Sequence, residues 1–149
     1  MRRIFLSALA VALVFASVAA AATYKAGRYE AGSSSKDGLS LRIKHGSFSV
    51  SRVSFIETCT SSDRTITDRF TFLKGSDAKL DGKINKKRHL SGSYSSDAGV
   101  VKVTGTVKGS KATVKVTESG SFTADDGQTY DCAGTHTFHA TRIVVSTQG

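Results

Sequence analysis

The chain has 149 residues with no Pro, no Trp and only two Cys, and its 21 Lys and Arg outnumber 12 Asp and Glu, for a net charge of +9. That length allows one domain with one modest core. Two distant Cys without a CxxC pattern exclude a redox or metal-binding thiol pair, and the positive surplus selects anionic partners.

The first element is an export signal. Arg2 and Arg3 precede an apolar run from Ile4 to Ala22 that ends in Val18-Ala19-Ala20-Ala21-Ala22. A basic start, an apolar middle and small residues at the end are the plan of a secretory signal peptide, here residues 1–21, cut after Ala21 or Ala22. A retained anchor would use the same run, since roughly 20 apolar residues cross a bilayer. The small-residue end favours cleavage, and no Cys stands there to take a lipid. The expected product is one soluble domain over 22–149, without a transmembrane segment, secreted or held at the cell envelope. Without Arg2 and Arg3 it keeps 19 basic against 12 acidic residues, a net charge of +7.

Beyond the leader no stretch has helical spacing, whereas alternation with period two recurs throughout. Leu39, Leu41 and Ile43 form one face of a half-buried strand. From Ser47 to Thr60 the apolar parity changes at Ser51-Arg52, from Phe48 and Val50 to Val53 and Phe55, which predicts a bulge or corner. Further inner faces are Ile66, Phe70 and Phe72; Leu80, Gly82 and Ile84; and Leu90, Gly92 and Tyr94. Val101 to Val107, a two-residue Gly109-Ser110 turn and Ala112 to Val116 predict a tight hairpin. After the Asp125-Asp126-Gly127 turn, a long strand from Tyr130 to Ala140 carries Cys132 inward. The tail from Ile143 either extends that strand or frays. Eight or nine strands predict an all-β, antiparallel barrel or sandwich.

In an exported chain Cys59 and Cys132 are expected to join. Closing a loop of about 74 residues would stabilise the fold by roughly 4 kcal/mol. Glycine two residues before an aromatic recurs, as in Gly46-Ser47-Phe48 and Gly92-Ser93-Tyr94, which suits rings covering glycines on neighbouring strands.

Catalytic chemistry finds no constellation. His136 and His139 lie three apart on one strand and face opposite ways, His45 sits in a turn, and His89 borders a basic run. No GxSxG elbow is present. Asp125, Asp126 and Asp131 surround one turn with too few oxygens for calcium. No metal or cofactor is therefore expected, and no enzymatic activity. The clearest charge feature is Lys83, Lys86, Lys87 and Arg88, with Lys79 and His89 nearby, a candidate anion-binding loop.

The early Gly27-Arg28-Tyr29, Cys59, Gly92-Ser93-Tyr94, the small-residue hairpin from Gly105 to Val116, Cys132 and the closing Ala140-Thr141-Arg142 resemble a group of small secreted bacterial proteins of high-GC Gram-positive type without assigned function. The resemblance implies the all-β fold and export, and carries over no catalytic or binding residue.

The resulting expectation is a monomeric, non-enzymatic binding or structural module at the envelope or outside the cell. Its partner would be an anionic wall polymer, lipid headgroup or acidic glycan rather than nucleic acid. The alternative is a carrier of a small apolar ligand, in which Gly82, Gly92, Gly105, Ala112 and Gly134 leave room inside a barrel. An enzyme of unidentified class is a third reading.

Overall fold

Period-two alternation folds into strands alone: every regular element among the described residues is β. The computed structural model describes residues 23–32 and 36–144, so the expected leader over 1–21 and residues 145–149 of the tail lie outside the described residues. The strands are β1 (Gly27–Gly32), β2 (Gly38–Lys44), β3 (Ser47–Thr60), β4 (Thr65–Leu73), β5 (Leu80–Ile84), β6 (His89–Ser96), β7 (Gly99–Lys108), β8 (Lys111–Thr123) and β9 (Thr129–Arg142). They form one antiparallel sheet in the order β2-β1-β9-β8-β7-β6-β5-β3-β4, which closes into a ring through the further pairings β2–β3 and β9–β3.

The 14-residue β3 makes the closure by using each of its edges twice. One edge pairs with β2 over Ser47 to Ser54 and with β9 over Thr58 to Thr60. The other pairs with β5 over Ser47 to Val50 and with β4 over Arg52 to Thr60. The predicted phase change is a bulge at Ser51: Ser40 faces Arg52, whereas the next residue of β2, Leu41, faces Val50. The extra residue turns Val53, Phe55, Glu57 and Cys59 inward, and all four are buried.

The other forecasts of register also hold. Lys108 pairs with Lys111 around Gly109-Ser110, with Gly109 at φ 56°, so the hairpin has the two-residue turn expected. Cys59 lies opposite Cys132 and bonds to it, stapling β3 to β9 where the ring closes. Ile143 still donates its amide to the carbonyl of Arg28, although β9 ends at Arg142. No helix among the described residues is long and apolar enough to cross a membrane.

One expectation needs correction. Glycine does mark close approach, but it does not leave the interior hollow. The Phe48 ring lies where a Cβ on Gly82 or Gly92 would be, Phe55 does the same at Gly134, and the backbone of β8 presses on Gly105. Ala112 is itself packed in the core. Rings and backbone fill the space that the missing side chains vacate. Gly82→Ala should therefore cost about 1–3 kcal/mol in urea unfolding by overpacking against Phe48 and Ser91. Gly75→Ala, in an exposed loop with no atom within 4 Å of the new Cβ, should change stability by less than about 0.5 kcal/mol.

Candidate functional site

β5 is only five residues long, and its pairing with β6 ends at Gly82 opposite Gly92. Beyond that point β6 continues to Ser96, while β3 takes β4 as its neighbour instead. β4 and β6 do not hydrogen-bond to each other as strands, so the sheet is open between them. Only side chains bridge the gap, with the rings of Phe72 and Tyr94 5.6 Å apart. Behind them lies a cavity of about 230 Å³. Phe70, Phe72 and Tyr94 line it from β4 and β6, and Val101 and Phe122 from β7 and β8.

Two carboxyl groups also belong to this lining, Glu57 from β3 and Glu118 from β8. Their residues are only 8% and 7% exposed, which is unusual for Glu, and no Lys, Arg or His lines the cavity. The two carboxyl groups lie close enough to interact, so ionising both would set two like charges against each other in an apolar surround. Burial first, then the hydrogen bond to Glu57 and its negative charge, push Glu118 up to about 8. The Oε2 atoms of both residues have no hydrogen-bond partner. A buried acid pair with unused acceptors in an apolar cavity is the form that binding and catalytic sites commonly take.

The sequence contains the signal for this pair, although no function was expected of it. Glu57 sits at inward parity between Phe55 and Cys59, and Glu118 continues the inward row Ala112, Val114, Val116. The Glu57 carboxylate and the sulfurs of Cys59 and Cys132 lie within 4.8 Å of one another, but the sulfurs are bonded together and offer no thiolate to a metal.

The residues singled out from sequence lie elsewhere. Lys83, Lys86, Lys87 and Arg88 occupy the end of β5 and the β5–β6 turn, at the opposite end of the ring. Arg88 takes a left-handed φ of 65° and its carbonyl accepts from Val107 at 3.1 Å; the Lys25 amide donates to Gly109 at 3.0 Å, and that of Ile84 to Gly46 at 2.9 Å. These bonds tie four chain segments together, so Lys25, Lys108 and Lys111 join the basic run in one cationic end. His136 and His139 pair with Val116 and Thr113 and face opposite sides, as expected. His136 instead meets Asp37 at 3.5 Å and packs against Phe55 and Phe138. The turn carboxylates also serve structure: Asp126 pairs with Arg64 at 2.7 Å, which joins the β8–β9 turn to the β3–β4 turn.

Comparison with known proteins returns no match: no family model, no curated protein and no solved structure is similar to this chain.

The acid pair gives stability a pH dependence of definite sign. Glu118 has an ordinary value of 4.5 and a folded value near 8, so the folded state holds its proton more tightly than the unfolded state. Its contribution is complete below about pH 4.5 and is lost as the pH rises through about 8. The thermal midpoint should fall between pH 5 and pH 9. Glu118→Gln, which keeps the shape and cannot ionise, should remove most of that fall in a calorimetric pH series.

Proposed function

We propose that this protein is an exported, non-enzymatic binding protein of the small secreted two-cysteine type, and that it takes a small, mainly apolar ligand into the cavity between β4 and β6. The observation that carries this reading is the cavity itself: an aromatic and aliphatic pocket held open because β5 stops short of the end of β6. Concave apolar walls with a few convergent polar groups are the usual make-up of a small-ligand site. The Cys59–Cys132 disulfide supports an extracytoplasmic setting, since such bonds persist in oxidising compartments. The test is native mass spectrometry of mature protein purified gently from the medium of a secreting host. A reproducible small-molecule adduct, lost in Ser96→Trp, is expected, because that indole would cover the cavity mouth. The bare chain minus two hydrogens, together with no uptake of naphthalene-sized probes, would overturn the reading.

A second reading, surface attachment to an anionic wall polymer or glycan, is favoured by the gathering of Lys25, Lys83, Lys86, Lys87, Lys108 and Lys111 at one end of the ring. Changing Lys86, Lys87 and Arg88 to Ser should abolish cosedimentation with cell-wall material. Undiminished cosedimentation would refute the role of that run. Wild-type attachment should also weaken steeply with added salt.

A further inference from the structure

We propose that the cavity holds a primary or secondary organic amine in its ammonium form, its charge met by the carboxyl groups of Glu57 and Glu118 and its apolar body held among the aromatic walls. The inference rests on the reading of the cavity as a ligand site and names the class of ligand. Its starting point is the pair of carboxyl groups in the lining, each on a residue more than nine-tenths buried, with no Lys, Arg or His beside them and with Oε2 atoms that no protein group meets. Carboxyl groups buried without a cation beside them are costly, so an occupant that brings no positive charge leaves that cost in place.

The alternatives fit less well. An anion would meet an acid pair with no cation in the lining. A calcium ion needs six or more oxygens, and the other walls are mainly aromatic and aliphatic carbon. A quaternary ammonium has charge but no N–H. An ammonium with two or three N–H groups can meet both carboxyl groups, and Phe70, Phe72, Tyr94 and Phe122 supply aromatic walls of the kind that attract such a cation.

Binding is then linked to pH. The ionisable groups facing the cavity are Glu57 from β3, Glu118 from β8 and Tyr94 from β6; β4 and β7 contribute none, and β9 contributes only the disulfide-bonded Cys132. The proton that Glu118 holds competes with the ammonium for the acid pair. An ammonium that binds best to the fully ionised pair displaces that proton to the buffer. Amine affinity should therefore rise from pH 6 to pH 8, by up to about tenfold per unit, provided the amine stays protonated.

The experiment compares two probes of equal shape, 1-naphthylmethylamine and 1-naphthalenemethanol, on the mature disulfide-bonded protein. Fluorescence titrations at pH 6 and pH 8 are combined with calorimetry in two buffers of different ionisation enthalpy, neither of them a primary amine. Both probes should bind, the amine roughly tenfold to hundredfold more tightly at pH 8. Only the amine should release a proton, and Glu57→Gln with Glu118→Gln should bring the two affinities together. Equal affinities at pH 8, or amine binding without proton release, would overturn the ammonium inference and leave the apolar site standing. Failure of both probes to bind would overturn the site itself. If the double variant does not fold, the wild-type proton count decides alone.

Discussion

A strand has two edges, and in this protein almost everything follows from β3 using both of them twice. At one end of the ring β2 and β5 flank it; at the other, β9 and β4 do. The bulge at Ser51 makes the exchange possible, because an inserted residue bends the strand and tightens its twist. It also keeps the apolar residues inside on both sides of the bend, which a regular strand with this sequence could not do. The same exchange leaves β4 and β6 unpaired with each other, so the cavity is a by-product of how the sheet closes. The disulfide pins β3 to β9, the shorter of the two pairings that close the ring.

Placing two carboxyl groups in such a site opposes folding. A charged carboxylate out of water and away from any cation is costly, and the chain lowers that cost by raising Glu118 to about 8, so that one of the two keeps its proton at neutral pH. Two Gln side chains, or two apolar ones, would satisfy the core without this tension. The strain falls on the part of the ring where backbone pairing is missing, and there Phe72 and Val101 serve both as cavity wall and as members of the apolar core that holds Phe48, Leu41 and Leu80.

The strands, the phase change at Ser51, the Gly109-Ser110 hairpin and the disulfide are all legible in the sequence, because each is written in a local pattern: parity, turn chemistry or a lone pair of Cys. The ring is less legible. Nothing in the spacing of β3 says that four different strands will share its edges, since partner choice depends on contacts far apart in the chain. Parity does place Glu57 and Glu118 inside, one beside Phe55 and Cys59, the other after Val116. A single inward Glu reads as a strand end or a break in the pattern, however, and only the pairing of β3, β8 and β9 brings the two together. Glycines mislead in the opposite direction: their small volume suggests room, but Phe48 and Phe55 occupy it.

The turns at the two ends of the ring also differ in sign. Those beside the β5–β6 turn carry lysines and arginine, while those near the cavity mouth carry Asp63, Asp97, Asp125 and Asp126 with only Arg64 among them. Such a molecule has a permanent dipole moment along the ring axis. Near a negatively charged surface it experiences a torque that turns the lysine end inward and the cavity mouth toward the medium. Screening confines that torque to a layer of about 8 Å at physiological salt, so orientation is decided in the last moments of approach rather than in bulk solution.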